Sequence, residues 1–444
     1  MGLPEIDTLA TKNSLYQNYV VLVNLITIKS AYRNYHALVA LLPDRILMAS
    51  ADFQYIDSDS QLQKFCQESI GAKIVGFDTE FVSESRYRPE LCLLQVAVDG
   101  VYAIIDTMTI SDLMPFWNFL VDGDHITLAH AAREEFLFCY RACGAYPKRL
   151  FDVQLAAGMV GGDYPISYGN LVSRSLNQTI DKGETRTDWR QRPLSDRQIA
   201  YALSDVIHLE QLYENLSKKL EQLNRTEWFE DEIQDWQTHL CKTHDEPQWR
   251  RVSGISNLKP EALAIVRELW IARDEVAADK NRSPKRILPD DLIIELAKRG
   301  SADMKRLKAI RGFENRVNRS MMPRIVSAIE KANSLPKSEL PKRLPRGKST
   351  NLGLLGQFLS TALNVVCRDQ SIAPSLVGTA NDVRIMAAWK LGMISPKDKP
   401  ALASGWRAEM IGRLIERVLD GTIAIRVGDP TSDDPLKLEY LDRN

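Results

Sequence analysis

The stretch Ile74-Val75-Gly76-Phe77-Asp78-Thr79-Glu80-Phe81 decides how this chain is read. It begins as an apolar strand and then carries two carboxylates at i and i+2. Alternate residues of a strand point to one face, so Asp78 and Glu80 point together. Like charges side by side are costly unless something positive lies between them. A divalent cation held by hard oxygen ligands is the usual solution. An isolated pair of this kind is more often a strand running into a turn, with both acids in water. Two later acidic points weigh against that plain reading.

The first is His130-Ala131-Ala132-Arg133-Glu134-Glu135-Phe136, which follows a strand expected over 125–129 and opens a helix reaching Cys143. The second is Tyr201-Ala202-Leu203-Ser204-Asp205. Its helix starts at Ser195-x-x-Gln198, a capping box in which each residue satisfies a free backbone donor of the other. At about 100° per residue, Ile199, Leu203, Val206, Leu209 and Tyr213 make a core face. Tyr201 and Asp205 stand at i and i+4 on its edge, where they look into a cleft beside the sheet.

Around these points the chain organises itself. Short strands over 54–56, 73–81, 91–98 and 101–106, the last two joined by the turn dipeptide Asp99-Gly100, precede alternating helices and strands to about Leu223. That order predicts a mixed sheet flanked by helices. Residues 1–50 form an extension of uncertain status. Its apolar run Tyr19–Ile28 is too short for a membrane helix, which needs about 20 residues, and Met48 is an alternative start. A polar stretch over 243–248 leads to helical segments. Pro336 to Ser349 is rich in Pro, Lys and Arg and reads as a basic linker, and the rest is expected to be helical to about Leu419.

The 444 residues carry a net charge of −1, which hides an asymmetry. Between Glu246 and Lys348, 24 Lys and Arg face 13 Asp and Glu, an excess of 11, so the rest of the chain is about 12 charges negative. An acidic portion beside a basic module suits a metal-dependent enzyme with a polyanion-binding appendage. Six cysteines without a C-x-x-C pair suggest a reducing, cytoplasmic setting. Cys139 and Cys143 read as packing residues in a helix.

A D-x-E strand, an acid early in a helix and Tyr-x-x-x-Asp on a later helix, in this order, resemble the DEDD superfamily of 3′→5′ exonucleases. The subtype is the one with tyrosine in its third motif. Within it the chain is similar to the ribonuclease D family through FDTEF (77–81), PELCLLQVA (89–97), the segment from His130, IDKGETRTDWRQRPL (180–194) and YALSDVIHL (201–209). These motifs cover about residues 54–220. Residues 246–335 resemble an HRDC domain through the helix with Trp270 and the segment Arg286-Ile287-Leu288-Pro289-Asp290. A weaker likeness makes 350–444 a divergent second copy.

The resemblance implies an α/β ribonuclease H-like nuclease domain over 51–225, an HRDC domain over 246–335, the linker over 336–349 and a C-terminal helical domain over 350–444. It implies two divalent ions, Mg²⁺ or Mn²⁺, ligated by Asp78, Glu80, Glu135 and Asp205, with Tyr201 orienting or deprotonating the attacking water. Glu135 departs from the aspartate usual at that position, and Glu134 is the neighbouring candidate. Phe81 either stacks on the terminal base or packs in the core. Gln95 faces cleft or solvent. Arg186, Trp189 and Arg190 touch nucleic acid or serve structure, and His130 and His208 read as structural. In the basic module Lys285, Arg286, Lys305, Arg306, Lys308 and Arg311 are candidate phosphate contacts. The implied activity is trimming of RNA 3′ ends, of the kind seen in tRNA precursor maturation, by a cytoplasmic monomer with no membrane segment and no small-molecule cofactor. A DNA 3′→5′ exonuclease and a weakly active RNA-binding scaffold are the alternatives.

Overall fold

Strand β2 (Ile74–Val82) is the axis of a mixed sheet that also contains β1 (Phe53–Ile56), β3 (Glu90–Val98), β4 (Val101–Ile105), β5 (Ile126–Ala129) and β6 (Leu150–Asp152). The computed structural model describes residues 52–180, 187–310, 313, 321–343, 352–432 and 435–441. The extension over 1–50, Arg186 and Arg311 lie outside them. The strand order is β1-β4-β3-β2-β5-β6. The meander β2-β3-β4 is antiparallel, while β5 runs parallel to β2 and β6 parallel to β5. The Asp99-Gly100 turn forms as expected: both residues have positive φ, +45° and +84°, which matches the twist of a two-residue hairpin.

The two sheet faces have different work. Val75 and Phe77 point to a core with Phe116, Trp117, Leu120 and Cys139, covered by α1 (Asp59–Glu68), α2 (Met114–Asp122) and α3 (Arg133–Cys143). Gly76, Asp78 and Glu80 point the other way, toward α6 (Asp196–Ile207) and α7 (Leu209–Gln222), which follow α4 (Val153–Met159) and α5 (Tyr168–Leu176). A side chain at Gly76 would meet Leu209 Cδ1 at 3.0 Å. The glycine therefore lets α7 approach the strand closely, and this brings Asp205, four residues before Leu209, over the acid pair.

Helix α8 (Thr226–Asp245) leaves the sheet domain, and a first helical module follows, built on α9 (Pro260–Asp279), α10 (Asp290–Arg299) and α11 (Met321–Asn333). Its core, from Trp249 to Ala332, is separate from that of the sheet. The C-terminal region, with α12 (Gly353–Asp369), α13 (Ala380–Lys390) and α14 (Arg413–Leu419), behaves differently. Its apolar residues from Leu352 to Ile423 share one continuous core with Leu128, Phe136, Leu212 and Phe229 of the sheet domain and α8. Arg225 Nη1 donates to the carbonyls of Met159 (2.6 Å) and Ser371 (2.8 Å). Glu232 accepts from Arg407 at 2.6 and 2.8 Å and from Trp406 Nε1 at 2.9 Å.

The expectation of a helical C-terminal domain needs correction at its end. After α14 the chain forms an antiparallel pair, β7 (Ile423–Val427) with β8 (Leu436–Tyr440). The alternation Ile423-Ala424-Ile425-Arg426-Val427 has period two and is β-branched, so it suits a pleated, half-buried surface. Among the described residues no helix is long and apolar enough to cross a membrane.

Candidate active site

Asp78 lies directly across from Gln95 on β3, and the register shifts between Glu80 and Phe81. This irregularity follows the second acid, beyond Gly76, the last residue of β2 paired with β5. Tyr201 and Asp205 arrive on α6, whose capping box is formed: Ser195 N–H donates to Gln198 Oε1 (2.9 Å) and Gln198 N–H to Ser195 Oγ (3.2 Å). The Tyr201 hydroxyl hydrogen-bonds the Asp205 carboxylate. Asp78, Glu80, Tyr201 and Asp205 thus meet over one sheet face, as their spacing predicts. Each keeps partial solvent contact, yet surrounding protein strips most of the hydration from the acids.

Glu135 comes from the other side. It is 5 % exposed near the start of α3, and its Oε1 accepts from the Thr79 hydroxyl at 2.5 Å. Thr79 is the residue between the two acids and faces away from them. The turn that launches α3 is held by Asp152, which accepts from the N–H of Ala131 (3.1 Å), Ala132 (3.0 Å) and Gln154 (2.8 Å). Sequence reasoning missed this residue. Its signal was present, an aspartate between a strand and a helix, the ordinary N-cap position. Glu134 turns outward and pairs with Arg133.

The electrostatics are those of acids crowded against one another. Burial, then the charges of Glu135, Asp205 and Glu80, hold Asp78 well above the usual carboxylate range. Burial, then Asp205 and Glu135, push Glu80 to about 8. Burial lifts Asp205 to about 7 against the Tyr201 hydrogen bond, and Glu135 to about 7 against that of Thr79. Tyr201 is raised too, by burial and then by Asp205, Glu80 and Asp78, so it is a neutral donor near pH 7. Tyr168, unforeseen from sequence, places its hydroxyl within reach of the charges of Asp205 and Asp78.

Among the described residues no three acidic, histidine or cysteine side chains converge closely enough to hold an ion as they stand. The donor chemistry nonetheless fits one. Among the described residues Asp78, Glu80 and Asp205 share a cleft with no cation between them, and the amide oxygen and nitrogen of Gln95, wholly buried beside Asp78, have no hydrogen-bond partner. Hard cations take such oxygen ligands.

Two predicted contacts are corrected. Trp189 is 3 % exposed and packs with Leu93, Ile104 and Ala202, its ring 6.0 Å from that of Tyr201. It supports the tyrosine and cannot meet nucleic acid. Arg192 fixes this loop by donating to Asp106 Oδ1 (2.6 Å) and to the carbonyls of Trp189 (2.7 Å) and Cys92 (2.9 Å). Gln95 does not face solvent; it is buried on the sheet face that carries Asp78. Arg190 is exposed and paired with Asp188 at 2.8 Å. Phe81 is half-buried, edge-on to Phe138 at 5.6 Å. His130 sets its Nε2 2.9 Å from the Ile166 carbonyl. Lys285, Arg286, Lys305, Arg306 and Lys308 are all exposed on the first helical module.

A family model described as 3′-5′ exonuclease matches residues 53–221, and one described as HRDC domain matches 262–329. The chain is 34 % identical to ribonuclease D of Bartonella henselae over 79 % of its own length and 86 % of that protein. It is 31 % identical to ribonuclease D of Sphingobium indicum over 84 % and 96 %. Among solved structures it resembles that of Escherichia coli RNase D, described as an exoribonuclease involved in structured RNA processing, with a TM-score of 0.72, 23 % identity and coverage of 83 % and 99 %.

Proposed function

The chain belongs to the ribonuclease D family of 3′-5′ exoribonucleases, and we propose that it trims structured RNA with a free 3′ end, tRNA precursors among them, using two Mg²⁺ or Mn²⁺ ions. The observation that carries this reading is the gathering of Asp78, Glu80, Asp205 and Tyr201 over one sheet face, with no cation between them among the described residues. Asp78 feels the charge of all three other acids and would be a ligand of the ions. Glu80 and Asp205 complete the set, and Glu135 joins it by releasing Thr79. The ions, when bound, supply an activated water and positive charge at the leaving oxygen. Tyr201, kept protonated by burial and then by its acidic surroundings, orients that water by donating or accepting a hydrogen bond and does not remove its proton. The exposed part of Phe81 stacks on the terminal base.

The basic first helical module grips phosphates through Lys285, Arg286, Lys305, Arg306 and Lys308. The enzyme acts as a cytoplasmic monomer and needs no small-molecule cofactor; its six cysteines suit a reducing compartment. One observation favours a second reading. The Thr79–Glu135 bond holds the fourth acid off the shared face, as in a feebly active RNA-binding scaffold. Assays on single-stranded RNA and DNA oligomers with Mn²⁺ and with EDTA separate these readings. The leading one requires Mn²⁺-dependent trimming of RNA ahead of DNA, lost in Asp78→Asn with the fold retained. Wild-type turnover in that variant overturns the site; equal rates on DNA overturn the substrate.

A further inference from the structure

Arg141 lies two turns along α3 from Glu134, on the face that also carries Phe138. Phe138 is the residue that meets Phe81, next to the acid pair. The Arg141 guanidinium is half-buried, and its Nη1 has no hydrogen-bond partner. Burial above all, and then the positive charges of Arg88 and Arg133, hold its pKa below the usual arginine value against the attraction of Glu134. Arg88 is exposed and packs over the Tyr87 ring at 5.7 Å. Arg133 is exposed beside Glu134, the one carboxylate among the groups acting on Arg141.

The loop bearing Arg88 is clasped to the first helical module. Tyr87 Oη donates to Asp274 Oδ2 (2.8 Å), Tyr87 N–H to Asn281 Oδ1 (3.3 Å), and Ser283 N–H to the Ser85 carbonyl (3.0 Å). Exposed Arg282, Lys285 and Arg286 flank Ser283. A band of cations therefore runs from the Phe81 end of the cleft onto the helical module. Crowded guanidiniums with an unused buried donor call for an anion, and guanidinium forks match phosphate oxygens in pairs.

We propose that Arg88 and Arg141, with Arg133 at the rim, form a phosphate-binding subsite for the RNA backbone upstream of the nucleotide being removed, and that the Tyr87 clasp holds it in register with the helical module. This rests on the exoribonuclease reading for the identity of the strand. The test uses the full-length Asp78→Asn protein and a labelled single-stranded RNA 12-mer, with affinity measured by anisotropy across salt concentrations. Each phosphate contact on a single strand contributes about 0.7 to the slope of log K against log salt. Arg88→Gln with Arg141→Gln is expected to lower the slope by about 1.4.

In the active enzyme the same pair should lower kcat/KM on the 12-mer by about tenfold while leaving a dinucleotide substrate unaffected. Tyr87→Phe should weaken 12-mer binding and spare the dinucleotide. An unchanged slope overturns the subsite, as does an equal loss on both lengths, which would mean that the arginines merely support the catalytic fold. Arg88→Gln alone, at an exposed position, keeps the test if the double variant does not fold. Failure of the wild type to degrade RNA counts against the activity, while the binding slope still decides the subsite.

Discussion

Glu80→Gln should stabilise the metal-free protein at pH 8 and leave it nearly unchanged at pH 5. Burial and the neighbouring acids raise the Glu80 pKa from 4.5 to about 8. The sign follows from proton linkage. Between those two values the folded protein binds more protons at this site than the unfolded chain, so stability falls as pH rises through the window. Below the unfolded value there is no loss, and above about 8 the loss is complete. At about 1.4 kcal/mol per pH unit the ceiling is about 5 kcal/mol. Partial solvent contact and relaxation of the neighbouring acids bring the working figure to about 2 kcal/mol. Glutamine keeps the shape and removes the charge. The expected gain is about 4–8 °C in unfolding temperature at pH 8, read by circular dichroism in EDTA from pH 5 to 8. Adding Mn²⁺ should stabilise the wild type and do much less for the variant. An unfolding temperature in EDTA at pH 8 equal to or below that of the wild type would refute the claim that this acid is held in an unrelieved field.

Tyr201→Phe should lower turnover by about 10²–10⁴-fold while metal affinity, measured by Mn²⁺ titration calorimetry, barely changes; a large affinity loss with normal saturated turnover would contradict an orienting role. Glu135→Asp cannot reach Thr79 as the longer side chain does, and it is expected to match or exceed the wild-type rate, with Glu135→Gln strongly impaired. Normal trimming by the glutamine variant would move attention to Glu134. Arg407→Ala leaves Glu232 without its paired cation inside the seam between nuclease domain and C-terminal region. Breaking such a pair costs about 3–5 kcal/mol when buried, so nuclease activity should be lost at a lower temperature than in the wild type; an unchanged inactivation curve would show that the seam does not support the nuclease.

What the sequence determined by itself is local or periodic. The two-residue repeat of β2 put Asp78 and Glu80 on one face, and the four-residue repeat of α6 put Tyr201 and Asp205 together. The Ser195–Gln198 box and the Asp99-Gly100 turn were legible because their hydrogen bonds close within a few residues. Tertiary structure decided the rest. Trp189 sits in a polar run, and its burial depends on long-range contacts, among them the Arg192–Asp106 pair spanning 86 positions that anchors its loop. Gln95 gave no sign of its burial until β3 was paired with β2 and covered by α6. The C-terminal region reads as a separate helical unit, yet its apolar face fits that of α8 and the two form one core. The fourth acid is the sharpest case. Its place after a strand marks Glu135 as a ligand candidate, but whether it faces the ions or Thr79 depends on how α3 meets the end of β2, a contact between residues 56 positions apart. Spacing fixes which side chains share a face; only packing fixes which faces meet.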